Sequence, residues 1–128
     1  MKRLIISIAA LTAAAASADI PQLADTQCVF VKANGKRGKT HRCTVQSVTS
    51  APRPNLPDTQ SRDFAIGKRT YQFAADYDET AQAWQWQYQN KPLAVYHRDR
   101  SFRKTAHTDG ARYTCYQARK IHFCTPER

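Results

Sequence analysis

Between Ala83 and Gln89 the chain reads AWQWQYQ, so that Trp84, Trp86 and Tyr88 alternate with Gln85, Gln87 and Gln89 without a slip. Residues two apart share one face of a β-strand but point to nearly opposite sides of a helix. The segment therefore reads as a strand with its aromatic face inward and its glutamines in water. Each ring of this kind buries about 150–250 Å², so the strand needs a core to lie against.

The same period of two, punctuated by turn residues, recurs along the chain. CVFVK (Cys28 to Lys32) and HRCTVQSV (His41 to Val48) flank Asn34-Gly35. FAI and TYQF (Thr70 to Phe73) flank Gly67-Lys68, LAVYH (Leu93 to His97) follows Asn90-Lys91-Pro92, and ARYTCY and IHFC close the chain after Asp109-Gly110. Short strands at these intervals predict an all-β fold, a small antiparallel sandwich or barrel of about 7–8 short strands. No stretch carries the alternating helix pattern of a βαβ unit. Pro52, Pro54 and Pro57 fall within SAPRPNLPDTQSR, Ser50 to Arg62. Three prolines exclude helix and central strand there and predict a crossover loop from one sheet or edge to another.

The first twenty residues, MKRLIISIAALTAAAASADI, have the layout of a secretory signal peptide. Lys2 and Arg3 form its positive end, Leu4 to Ala16 its apolar run, and Ala16-Ser17-Ala18 a small-x-small cleavage site. The apolar run falls short of the roughly 20 residues that span a bilayer. The expected organisation is a leader over residues 1–18 and a single exported β domain over residues 19–128, periplasmic or secreted, with no transmembrane segment once matured.

Export changes the meaning of Cys28, Cys43, Cys115 and Cys124. An even count in an oxidising compartment reads as two disulfides, and Cys28–Cys43 with Cys115–Cys124 each flank a plausible hairpin. The rival is zinc, because His41 and Cys43, like His122 and Cys124, share a strand face; the usual CxxC knuckle is missing, and no metal or other cofactor is expected. If Cys28 lies directly opposite Cys43, Phe30 faces His41, Lys32 faces Lys39, and the turn centres on Gly35-Lys36 as type II′. A type I′ turn at Asn34-Gly35 instead puts Cys28 opposite His41 and offsets the sulfurs. The narrow geometry of a disulfide favours the first register.

Loss of Lys2 and Arg3 with the leader leaves eighteen Lys and Arg against ten Asp and Glu, a net charge of +8. Two segments concentrate it: KANGKRGKTHR, Lys32 to Arg42, and HRDRSFRKTAH, His97 to His107. Such residues keep hairpin tips and sheet edges soluble and unpaired; they also make an electropositive surface for an anionic partner. Guanidinium groups suit planar, bidentate capture of phosphate or carboxylate. The contact residues this suggests are Lys36, Arg37, Lys39, Arg42, Arg98, Arg100, Phe102, Arg103 and Lys104. Phe102 stands alone among cations, where it either stacks a base or sugar or pins its segment to the core. The partners that fit are an acidic protein surface or an anionic glycan such as lipopolysaccharide, with nucleic acid a further option.

Catalysis has weaker support. A small, basic, disulfide-bonded exported chain is similar in general character to secreted ribonucleases. Metal-free phosphodiester cleavage needs a base, an acid and a cationic clamp, which His41, His97, His107 and His122 could supply in some pair. No spacing ties two of them together. No Gly-x-Ser-x-Gly elbow is present, and oxidised cysteines are not nucleophiles. The leading expectation is an exported, non-catalytic binding or inhibitor-type module with a basic β-surface. A His-pair phosphodiesterase and a structural envelope protein without ligand are the alternatives.

Overall fold

The computed structural model describes residues 21–50 and 54–127; the expected signal peptide, residues 1–18, lies outside them. The chain forms β1 (Gln22–Val31), β2 (Arg37–Thr49), β3 (Thr59–Ile66), β4 (Arg69–Asp78), β5 (Ala83–Tyr88) and β6 (Lys91–Pro92). β7 (Ala94–Arg98), β8 (Lys104–Thr105), a 3-10 turn (Thr108–Gly110), β9 (Tyr113–Ala118) and β10 (Ile121–Pro126) follow. All ten strands belong to one sheet in the order β6-β5-β4-β3-β2-β1-β10-β9-β7-β8. The count exceeds the expected 7–8 because β6 and β8, two residues each, are too short to show a period in the sequence.

The sheet is a curled half-barrel rather than two stacked layers. β6 and β7 lie at nearly opposite ends of the strand order, yet Leu93 alone separates them. Consecutive Cα atoms are only about 3.8 Å apart, so the two ends of the sheet must approach each other. Leu93 makes the crossing: its N–H donates to the Trp86 carbonyl of β5 at 3.0 Å, while Ala94 pairs with Gln117 of β9. The crossover expected at the proline-rich segment is absent. β2 and β3 are antiparallel neighbours, with Thr49 opposite Gln60 and the Ser50 N–H on the Thr59 carbonyl, so the two strands form one hairpin; residues 51–53 of the segment lie outside the described residues.

Curling puts the aromatic faces in contact across the interior. Phe73 of β4 stacks on Tyr116 of β9 and Phe123 of β10, with ring centroids 5.1 and 5.9 Å apart. Phe64 of β3 meets Phe123 edge-on at 5.2 Å. Full burial of one such side chain contributes about 1.5–3 kcal/mol, so these four rings are the main cohesion of the fold. In β5 the alternation holds: Trp84, Trp86 and Tyr88 are half-buried, and Gln85 and Gln87 are exposed. Trp86 and Tyr88 pack on the core. Trp84 instead pairs with Tyr77 across the β4–β5 hairpin, at 5.3 Å.

A second apolar layer lies on the outer face, where Val29, Phe102, Cys115 and Cys124 pack with Val31, Tyr96 and Tyr113. β1, β10, β9 and β7 are therefore covered on both sides, with Phe102 of the β7–β8 loop supplying the outer cover. The two disulfides join adjacent strands, Cys28–Cys43 across β1–β2 and Cys115–Cys124 across β9–β10. Bonded to each other, these sulfurs leave no thiolate for the zinc rival.

The expected register of the first hairpin is wrong. Cys28 pairs with His41, and Cys43 with Thr26. The disulfide runs diagonally over a Cα separation of 6.0 Å, inside the range the bond tolerates. An offset of two residues keeps both sulfurs on one face, which is why it is compatible with the bond. Neither expected turn type closes the hairpin. The Gly35 N–H donates to the Lys32 carbonyl and the Lys32 N–H to the Lys36 carbonyl, with Gly35 at φ 84°. This is a three-residue loop ending in a left-handed glycine. A register shift follows between Val29 and Val31, beside Gly38, whose Cα faces the Phe30 carbonyl so closely that a Cβ would lie 2.8 Å from that oxygen.

Candidate anion-binding face

The β7–β8 loop repeats the hydrogen bonding of the hairpin tip. The Phe102 N–H donates to the Asp99 carbonyl and the Asp99 N–H to the Arg103 carbonyl. Phe102 occupies the left-handed position at φ 66°, where Gly35 stands in the other loop. The Asp99 carboxylate adds bonds from the N–H groups of Ser101 and Arg103, at 2.9 and 3.0 Å. A phenylalanine at positive φ is unfavourable by itself; burial of its ring and the Asp99 bonds hold it there.

Arg98 joins the two loops. Its Nη1 donates to the Gly35 carbonyl at 3.0 Å and to the Phe102 carbonyl at 2.6 Å, the carbonyls of the two left-handed residues. Nε donates to the Tyr96 hydroxyl at 3.0 Å. Its guanidinium carbon lies 4.7 Å from the Phe102 ring centroid and 5.4 Å from that of Tyr96. The side chain is only 4% exposed and meets no carboxylate among the described residues. Arg37, from β2, reaches the same place: its guanidinium sits 5.0 Å from the Phe102 centroid and 5.3 Å from that of Tyr113, and it donates to the Tyr113 hydroxyl.

The two basic segments of the sequence thus meet. Lys36, Arg37, Arg98, Phe102, Arg103 and Lys104 line one cleft of about 520 Å³. An adjoining cleft of about 590 Å³ runs between the hairpin tip and the β9–β10 turn. It brings in Lys32, Arg119, Lys120 and His122 beside Arg98 and Lys104. Lys39 lines neither cleft; its recess, with His41, borders the second one along Phe30, Val31 and Lys32. Arg42, opposite Gln27 on β2, and Arg100 are exposed and line neither cleft. Phe102 is 8% exposed and packs in the outer layer with Val29, Cys115 and Cys124. Arg119 and Lys120, which reasoning from the sequence passed over, sit at the β9–β10 turn. Their adjacency ahead of IHFC is the one local signal that a third basic tip exists.

The four histidines occupy four neighbourhoods. His41 packs edge-on against Phe30 at 5.5 Å. His97 pairs with Glu127 at 2.7 Å. His107 lies exposed in the loop before the 3-10 turn. His122 accepts or donates at the Tyr96 hydroxyl through Nε2. Because side chains alternate along a strand, His97 points away from the face that carries Tyr96, Arg98 and hence His122. Burial holds the His122 imidazole below its ordinary pKa, and the cations Arg98 and Lys104 push it in the same direction.

On the inner face, a smaller recess of about 410 Å³ is lined by Arg62, Tyr116, Thr114, Thr125 and Glu127 among others. Arg62 lies 4.6 Å from the Trp86 ring centroid and donates to the Tyr116 hydroxyl at 2.6 Å. Burial raises the Tyr116 phenol above its usual pKa, and Arg62 opposes that shift. Among the described residues no helix is long and apolar enough to cross a membrane, and no cluster of three or more His, Cys, Asp or Glu could hold a metal.

Comparison with protein-family models, with curated proteins and with solved structures yields no match.

Proposed function

We propose that this protein is an exported, non-catalytic binding module, of the kind that includes inhibitors, which presents a basic β-face to an anionic partner. The observation that carries the reading is the bond from Arg98 to Gly35, which fuses two basic segments distant in sequence into one surface. Lys36, Arg103 and Lys104 stand exposed around that junction. Two disulfides are in keeping with export, and the Cys28–Cys43 bond, which stabilises by about 3 kcal/mol in the chain-entropy model, pre-orders the hairpin and lowers the entropy lost on docking. The partner that fits is an anionic glycan or an acidic protein surface. The phosphodiesterase alternative needs two histidines at one phosphate, and the separate neighbourhoods of the four favour binding over cleavage.

The test is binding of the mature protein to a sulfated or phosphorylated polysaccharide across a salt series. Electrostatic docking weakens steeply with salt; about four phosphate contacts on duplex nucleic acid give a log–log slope near −3.6, and a flexible glycan gives a shallower one. Lys36→Gln with Arg103→Gln weakens binding and flattens the slope. A salt response that is flat in the unaltered protein refutes the reading.

A further inference from the structure

Arg98 has one more property. Nε and Nη1 are engaged, but among the described residues Nη2 makes no hydrogen bond to protein. A buried guanidinium without a counter-anion is costly, and two aromatic rings, two carbonyls and one hydroxyl, none of them charged, offset only part of that cost. The cleft of about 590 Å³ beside it is lined by Lys32, Arg98, Lys104, Arg119, Lys120 and His122, and by no Asp or Glu. Donors of one sign converge there around a fixed planar fork. A carboxylate has two oxygens and one charge to set against them, whereas a terminal phosphate has three oxygens and up to two charges.

We infer that this cleft binds a terminal phosphate group, with Arg98 and Lys104 as its direct ligands and His122 taking up a proton from solvent as the group binds. The inference rests on the reading of this face as an anion-binding surface and names the chemistry that the cleft beside Arg98 selects. The proton follows from the cations that line the cleft with His122. The Tyr96 oxygen has two lone pairs, so beside its bond from Arg98 Nε it either gives its own hydrogen to His122 Nε2 or accepts one from it. A neutral ring fits either arrangement, an imidazolium only the second, in which Nε2 donates. The charged groups acting on it are Arg98 on β7 and Lys104 on β8; Arg119 and Lys120 at the β9–β10 turn and Lys32 of the hairpin tip line the same cleft, and all five are cationic. A bound dianion offsets their field and favours imidazolium. Protonated Nε2 then donates to the Tyr96 oxygen, and the phenolic hydrogen turns away from it. Linkage makes the effect reciprocal, so a tenfold gain in anion affinity on protonation accompanies a rise of about one unit in the His122 pKa.

The experiment titrates the mature protein by calorimetry at pH 7 with inorganic phosphate, glucose 1-phosphate and glucuronate. Saturable one-to-one binding of the phosphates is expected, with glucuronate at least about tenfold weaker. Lys104→Gln lowers phosphate affinity about tenfold or more, and Lys39→Gln, outside the cleft, leaves it unchanged. Tighter binding of glucose 1-phosphate than of phosphate assigns the source to a phosphorylated glycan; equal binding assigns it to the free anion. Sulfate, whose charge is constant between pH 5 and 8, serves for the proton: the His122 ring resonance titrates at higher pH with sulfate present, and sulfate binds more tightly as pH falls. Absence of saturation, equal binding of glucuronate, or affinity untouched by Lys104→Gln overturns the phosphate site. An unmoved His122 titration overturns the proton uptake. A flat phosphate titration with salt-dependent polysaccharide binding intact removes the cleft alone, and the reverse removes the surface reading alone.

Discussion

Truncation of Phe102 separates two effects that usually travel together. The ring packs with Val29, Cys115 and Cys124, meets Tyr113 edge-on at 5.2 Å, and is 8% exposed. Removing a buried phenylalanine to alanine costs about 3–5 kcal/mol. The backbone there sits at φ 66°, where a Cβ costs about 1–2 kcal/mol. Alanine keeps that penalty and glycine escapes it, while glycine loses about 0.5–1 kcal/mol more conformational freedom on folding. The two terms oppose each other, and the steric one is larger. Phe102→Gly is therefore expected to equal or exceed Phe102→Ala in stability, by up to about 1 kcal/mol, although it removes one more carbon. Urea melts of both variants, extrapolated with matched slopes, measure the difference. A cost below about 1 kcal/mol for Phe102→Ala, set against the buried-ring range, means that the ring does not pin the loop. An alanine variant about 1 kcal/mol more stable than the glycine one refutes the left-handed backbone at this position, since glycine's entropy deficit alone produces that order.

Gly38 is expected to tolerate no side chain: an added Cβ meets the Phe30 carbonyl oxygen at 2.8 Å, so Gly38→Ala forces the two strands apart. A loss of about 1–3 kcal/mol in denaturant melts is expected, and an unchanged midpoint refutes the close approach. Burial holds the Tyr116 phenol above the usual tyrosine pKa of about 10 when the protein is folded. The folded state then holds a proton that the unfolded state releases, so stability present below pH 10 is lost as pH rises through the folded value. Melts between pH 9 and 11 show that fall, and Tyr116→Phe makes it shallower; an identical slope in the variant assigns the loss to other groups.

Legibility in the sequence followed the range of the interaction concerned. The faces of β5 and the pairing of the cysteines could be read because each depends on neighbours a few residues away or on a short hairpin. The register of β1 against β2 could not, since the two turn signals, Asn34-Gly35 and a directly opposed Cys28–Cys43, disagree. The loop adopted, with Gly35 left-handed and the strands out of step near Gly38, satisfies the disulfide by a diagonal route. The candidate site was partly legible in the same way. Lys36, Arg37, Arg103 and Lys104 were visible as local charge. Tyr96, Arg119 and Lys120 became part of it only when β7 paired with β9 and β10 returned alongside. The local context of Phe102 did not show its packing against Val29 and the Cys115–Cys124 bond, which comes from strands distant in sequence.

By itself the sequence determined that the chain makes short antiparallel strands with aromatic interiors, because side-chain alternation is imposed residue by residue by the pleat. It also determined that positive charge gathers in two segments. The tertiary structure decided that those segments form one surface. That outcome depends on a single-residue crossing at Leu93 that curls the sheet, and on one guanidinium finding the carbonyls of two left-handed residues 67 positions apart, Gly35 and Phe102. No local pattern encodes such a contact, since its energy exists only once the strands between have closed the distance.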